Sequence, residues 1–348
     1  MSEPVDIAVD LGVVPEPVPE IEFVDDLAKA APAAPPQLVE GILHRGCKMT
    51  LGGMSKSYKS WCLLDLGLSV ASGQPWWGRR TIQAPVVYLN FELPRWGIWQ
   101  RINGVCGARP EIANVGKSFA VWNLRGRSAD LALLRPMLEE QLARHQFGLI
   151  IIDPIYKLLG NRDENANGDV AGLLNEVDVF CQKFDAAVVI GHHFAKGDSS
   201  AKSAIDRMSG AGAWARDPDA LLMMTPHEED DCYTVSSIVR NLPKVEDFVV
   251  QWEFPLMRVA KQLNPEALRR PQGRSKICTE REFIETVLGD GVGKAFGTIV
   301  KDAASLLNMS RRTVANYLKR AVDSGLVRCS GGLYWQVKEG KCKSATCL

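Results

Sequence analysis

Between residues 41 and 262 short apolar runs alternate with longer stretches of helical periodicity. The apolar runs are Cys47–Leu51, Val86–Phe91, Phe119–Leu124, Leu149–Ile152, Ala187–Ile190, Ala220–Thr225 and Tyr233–Val239. Few polar residues interrupt them, which predicts strands covered on both faces. Helical spacing predicts Lys59–Ala71, Trp96–Val105, Asp130–His145 and Asp169–Phe184 as helices. The alternation predicts an α/β fold, a mostly parallel sheet with helices on both faces. The last apolar runs lie closer together, which predicts antiparallel additions at one sheet edge.

Other segments follow different patterns. Residues 1–40 read as a flexible arm, proline-rich and acidic, with one apolar patch at Ile21-Glu22-Phe23-Val24. Residues 41–263 form the α/β domain. Residues 264–276 are polar, basic and broken by two prolines, as an interdomain linker is. Residues 277–338 predict a small second domain, and 339–348 a tail. In that second domain Thr279–Leu288 reads as a helix capped by Thr279 with Glu282 at the capping-box position. Thr298–Leu307 reads as another. Arg311–Val322 is a third, capped by Ser310, with Val314, Leu318, Ala321 and Val322 toward the core. Two short strands around Ser330-Gly331-Gly332 then predict a hairpin.

Charge changes the picture. The chain of 348 residues has 41 basic and 41 acidic residues. Residues 1–40 hold nine acids and one base, residues 41–267 hold 25 of each, and residues 268–348 hold 15 bases and seven acids. The zero sum therefore hides −8 at one end and +8 at the other. Such asymmetry points to nucleic acid or another charged partner. No apolar run is long enough for a membrane span, and the acidic start does not match a secretory signal. Nine cysteines without a CxxC pair fit reduced thiols and a cytoplasmic location.

The first predicted strand runs into Gly52-Gly53-Met54-Ser55-Lys56-Ser57-Tyr58-Lys59-Ser60-Trp61, and a helix follows. Strand, Gly-rich loop, Lys-Ser and helix is the P-loop arrangement, in which backbone N–H groups and a helix N-terminus hold phosphates. Lys59 would neutralise the β- and γ-phosphates of ATP, and the Ser60 hydroxyl would ligate Mg²⁺. One residue departs from the pattern: Tyr58 stands where the second glycine belongs, so it needs a permissive backbone. Two further apolar runs end in carboxylates. Glu92 is placed to activate water, and Asp153 to hold the Mg²⁺ shell.

The loop resembles the Walker A loop of RecA-like ATPases close to the RepA-type hexameric replicative helicases, the AAA_25 group. In that group a lysine often sits where Lys56 is, and an aromatic residue sometimes replaces the second glycine. The resemblance implies a RecA-like fold and a catalytic role for Glu92. It also implies a γ-phosphate sensor at the end of the Val188–Ile190 run, either His192 or His193. A buried pair of core histidines stays open, and no other histidine spacing supports zinc. The basic loop 196–213 would face single-stranded DNA through Lys196, Lys202 and Arg207, unless it is an ordinary surface loop. A finger reaching a neighbour's site would be Arg207, Arg216, Arg240 or Lys244, with Arg216 favoured over a plain salt bridge. The pair Trp76-Trp77 reads as helix-end packing rather than base stacking.

The C-terminal pattern resembles a winged helix-turn-helix. Arg311, Arg312, Asn316 and Lys319 would meet duplex DNA, although such modules also dock proteins. Taken together these readings predict a Mg²⁺- and ATP-dependent motor of a mobile element, a homo-hexameric ring around single-stranded DNA with no membrane partner. An ATP-switched initiator or regulator without unwinding activity is a second reading, and a recombination ATPase a third.

Overall fold

The computed structural model describes residues 20–112, 115–127, 130–193, 212–269, 278–307 and 309–337. The chain divides into two compact units between Arg269 and Arg270.

The first unit begins with α1 (Val24–Ala30), which buries none of its residues. A short hairpin, β1 (Gln37–Val39) and β2 (Leu43–His44), follows. Next come β3 (Lys48–Gly53), α2 (Lys59–Ser72), β4 (Val86–Asn90), α3 (Arg95–Ala108) and β5 (Phe119–Asn123). Then α4 (Leu131–Ala143), β6 (Leu149–Asp153), α5 (Asn167–Phe184), β7 (Ala187–His193), α6 (Ala213–Arg216) and β8 (Ala220–Pro226) complete the alternating part. Finally β9 (Cys232–Val239), β10 (Phe248–Glu253) and β11 (Leu256–Val259) run consecutively.

Strands β3 to β11 make one nine-stranded sheet in the order β11-β10-β9-β8-β3-β7-β6-β4-β5. The six strands from β8 to β5 are parallel. The last three are antiparallel additions beyond β8, as the close spacing of their apolar runs implies. Strands β3, β4 and β6 are buried along their whole length, because helices cover both faces. One core layer joins α2, Ile98 of α3 and the β1–β2 hairpin to the sheet. The opposite layer joins α4, α5 and Trp214 of α6 to it. This is the α/β architecture that the alternation implies, in the RecA-like form that the loop's resemblance implies.

At the amino end of β3, Lys48 is buried and paired with Asp178 of α5 and Asp217, while its backbone N–H donates to Asp219 at 3.0 Å. That cluster fixes the start of the central strand against α5 and the segment ahead of β8.

The second unit has α7 (Glu280–Leu288), β12 (Lys294–Ala295), α8 (Phe296–Leu307), α9 (Arg311–Asp323), β13 (Val327–Ser330) and β14 (Leu333–Gln336). Its strands form an antiparallel sheet in the order β12-β14-β13. Thr279 and Glu282 make the reciprocal capping box, with bonds of 3.2 and 2.6 Å. Ser310 caps α9 by accepting from the Thr313 N–H at 3.2 Å. The core stripe of α9 is Val314, Tyr317, Leu318 and Ala321. Val322 does not belong to it and is 37% exposed. Tyr317 completes the i, i+3, i+4, i+7 stripe, and Val322 lies past its margin.

Candidate functional site

Parallel pairing sets the carboxyl ends of the strands level. Gly53 pairs with His193 on one side and Met224 on the other. Asn90 pairs with Asp153, and Ile152 with Ile190. The turns after β3, β4, β6 and β7 therefore open on one rim, the place where open α/β sheets take their ligands.

The Gly-rich loop leaves β3 and turns into α2 at Lys59. A Cβ on Gly53 would stand 2.9 Å from Ser57 Oγ and 3.3 Å from the Met224 backbone oxygen, so only glycine fits. Lys56 and Tyr58 both hold left-handed backbone, with φ 63 and φ 60. Tyr58 thus adopts the conformation that a glycine would take there. Its ring lies on Trp252 of β10 and meets Tyr233 edge-on, and its hydroxyl donates to Asp231 Oδ1 at 3.2 Å. The first turn of α2 contains no acid, so its N-terminal dipole is free to favour an anion.

Lys59 is 5% exposed. Its Nζ donates to the Gly53 carbonyl at 2.9 Å, the Met54 carbonyl at 2.6 Å and Ser57 Oγ at 3.3 Å. Burial pulls its pKa down to about 8, opposed by the nearby Asp153 carboxylate. The ammonium is thus held inside the loop, beside the N–H groups that would face phosphate.

Asp153 is buried and accepts from the Tyr88 hydroxyl at 2.5 Å. Burial raises its pKa, and hydrogen bonds from Tyr88 and Ser60 partly offset this. A carboxylate and a hydroxyl side by side are oxygen donors of the kind a hard divalent cation takes, so Ser60 and Asp153 fit Mg²⁺. Among the described residues no group of three or more His, Cys, Asp or Glu side chains could hold a metal.

Glu92 is exposed on the turn after β4. The Tyr156 hydroxyl donates to its Oε1 at 2.6 Å, and burial with the neighbouring carboxylate pushes Tyr156 up to about 12. Asn90 braces the turn: its Oδ1 accepts from Leu93 N–H at 2.9 Å, and its Nδ2 donates to the Leu93 carbonyl at 2.8 Å. The same Nδ2 donates to Asn123 Oδ1 at 2.9 Å.

The two histidines point to opposite faces of β7, as strand alternation requires. His192 is 5% exposed and stacks on Trp214, with ring centroids 4.2 Å apart. Burial lowers its pKa to about 3. His193 faces the rim, with its ring 6.1 Å from Tyr156. Burial and the Lys59 charge also lower its pKa, so it is neutral near pH 7, and its buried Nδ1 has no hydrogen-bond partner among the described residues.

Other expected site residues stand elsewhere. Arg216 is exposed at the end of α6. Arg240 donates to the Arg216 and Asp217 carbonyls at 2.8 and 3.0 Å, and Lys244 is exposed. Lys196, Lys202 and Arg207 lie outside the described residues. Arg311, Arg312, Asn316 and Lys319 form an exposed face of α9. Trp76 is fully buried and stacks on Trp77 at 4.0 Å, which is packing rather than a base platform. Sequence reasoning missed Asn90, Tyr88 and Tyr156. Tyr88 and Asn90 left a signal as polar atoms inside an apolar strand, and Tyr156 left none.

The comparisons agree with this geometry. A solved helicase ATPase domain matches the structure with a TM-score of 0.50 at 9% identity, over 68% of this chain and 95% of that one. At that identity the likeness carries the fold alone. No curated protein matches the chain. The AAA_25 family model, described as an AAA domain, matches residues 15–199, more than half of the 348 residues. With a P-loop, a strand-end glutamate and a buried strand-end aspartate on one rim of a RecA-like sheet, the chain belongs to the AAA_25 family and is a P-loop ATPase.

Proposed function

We propose that this enzyme is a DNA-dependent, ring-forming ATPase, a replicative helicase of the RepA type serving a mobile element. The observation that carries the reading is the convergence of Lys59, Ser60, Asp153, Glu92 and His193 on one rim. Lys59, Tyr58 and the backbone of Gly52–Trp61 bind the phosphates of ATP. Ser60 and Asp153 would hold Mg²⁺, which when bound neutralises charge on the β- and γ-phosphates. Glu92 orients the attacking water and takes its proton, and Tyr156 fixes the carboxylate for that task. His193, neutral and with a ring nitrogen to spare, is favoured over His192 as the group that reads the γ-phosphate. Arg216 of a neighbouring subunit in a homo-hexamer is the finger that completes the site. Hydrolysis moves the 196–213 loop, with Lys196, Lys202 and Arg207, along single-stranded DNA in the cytoplasm.

The second unit is proposed to be a winged helix-turn-helix. Its exposed face at Arg311, Arg312, Asn316 and Lys319 suits the major groove of duplex DNA. That face also favours a second reading, an ATP-switched initiator that does not unwind. Strand displacement on a forked duplex separates the two. Displacement that requires ATP and is lost in Lys59→Ala is the expected result. ATP turnover without displacement, together with a footprint on one duplex site, would sink the helicase reading.

A further inference from the structure

A groove of about 740 Å³ lies between α3 and β5, lined by Arg95, Trp96, Ile98, Trp99, Val121 and Asn123 among others. Trp96 is 67% exposed and Trp99 is 61% exposed. The other described tryptophans of this unit are buried or half-buried. The groove reaches the carboxyl end of β5, on the rim that carries Glu92. Arg95 lines it. Arg125 and Arg127 follow Asn123 in an exposed turn, closed by the Arg127 N–H donating to the Leu124 carbonyl at 2.9 Å. None of these three arginines has an ion-pair partner among the described residues.

Two indoles left in water call for a flat apolar ligand. Three unpaired guanidinium groups at the same place call for anions, and would be costly to bury against an apolar protein face. Alternating bases and phosphates supply both chemistries. We propose that this groove binds single-stranded nucleic acid, with bases stacked on Trp96 and Trp99 and phosphates on Arg95, Arg125 and Arg127. The inference rests on the DNA reading above and adds a contact separate from the 196–213 loop. It also touches the catalytic turn. Asn123, in the groove wall, accepts from Asn90, and Asn90 braces the Leu93 backbone beside Glu92. A strand in the groove therefore presses on a residue that helps position the water-activating carboxylate.

The test uses the full chain and a fluorescent thymidine oligonucleotide. The variants are Trp96→Ala/Trp99→Ala and, with the rings retained, Arg125→Glu/Arg127→Glu. Each should weaken oligonucleotide binding about tenfold or more. Each should also abolish DNA stimulation of ATP turnover while leaving turnover without DNA unchanged. The charge-reversal variant keeps the apolar surface, so a folding defect of the indole variant cannot decide the outcome alone. Wild-type affinity in both variants overturns the inference. So does loss of self-association with unchanged oligonucleotide affinity, which would make the groove a contact between copies. Failure of the wild type to bind any oligonucleotide would sink the DNA reading itself.

Discussion

Tyr58 lies flat on Trp252, with ring centroids 4.2 Å apart and planes 11° from parallel, while its backbone sits at φ 60, ψ 16. The left-handed backbone costs a non-glycine residue about 1–2 kcal/mol. Burial of an aromatic side chain stabilises by about 1.5–3 kcal/mol, and stacking adds about 0.5–1.5 kcal/mol. The stack therefore outweighs the strain. Tyr58→Gly restores the usual P-loop residue yet should lower stability, by about 1–2 kcal/mol. Tyr58→Ala keeps the strain, loses the ring and should cost more. Denaturant unfolding of the two variants checks the order, and a Tyr58→Gly chain more stable than the wild type would contradict it.

Glu92 is exposed and held by one hydroxyl, so its replacement should spare the fold. Glu92→Gln should cut ATP turnover by about 10²–10⁴, the usual contribution of a positioned general base. Nucleotide affinity should stay within a few-fold. Turnover near wild type would assign water activation to another group.

His193 and His192 should separate cleanly. His193→Ala removes a ring that faces the rim and should abolish ATP turnover with little change in melting temperature. His192→Ala leaves a cavity beside Trp214 and should destabilise by about 2–4 kcal/mol. The reverse pattern would make His192 the sensor.

The acid limb of stability carries a signature of His192. Its folded pKa is about 3 against the ordinary 6.5. Between those values the unfolded chain binds a proton that the folded chain refuses. Stability is therefore fully present above about pH 6.5 and falls as the pH drops toward 3. His192→Phe keeps a ring against Trp214 without the titration. Its unfolding free energy should be flatter from pH 6.5 to 4 by about 1.4 kcal/mol per pH unit. An unchanged acid limb would assign the loss to other groups.

Residues 2–34 carry eight acids and one base. Removing them should raise DNA affinity, most visibly at low salt, if the acidic arm competes with nucleic acid for the basic end. The cut must stop there, because the Pro35 carbonyl meets His44 and the Pro36 carbonyl accepts from the Arg45 N–H at 2.9 Å. Leu38 of β1 is also buried. Equal affinity at every salt concentration would show that the arm does not compete.

Much of the sheet was legible because its strands are covered on both faces and read as unbroken apolar runs. Glu92 and Asp153 stood out because each ends such a run. The departure at Tyr58 was visible, but its cause was not, since Trp252 lies far along the chain. The choice between His192 and His193 was undecidable for a related reason. Alternation shows that they face apart, yet it does not show which face carries Trp214. The β1–β2 hairpin escaped because its strands have three and two residues. Exposure of Trp96 and Trp99 could not be read from spacing either, since aromatic residues on a helix usually mark its buried side.

The central strand has a consequence for the order in which the protein takes shape during synthesis. Met49 is flanked by Val189 of β7 and Ala220 of β8, both made much later. Until ribosomes have passed Pro226, β3 lacks at least one of its two neighbours, and its apolar edge is open to other chains. The Gly-rich loop waits longer still, until Trp252 emerges to hold Tyr58. A fragment ending at residue 199, where the family match stops, would therefore carry the phosphate-binding sequence without a phosphate-binding shape.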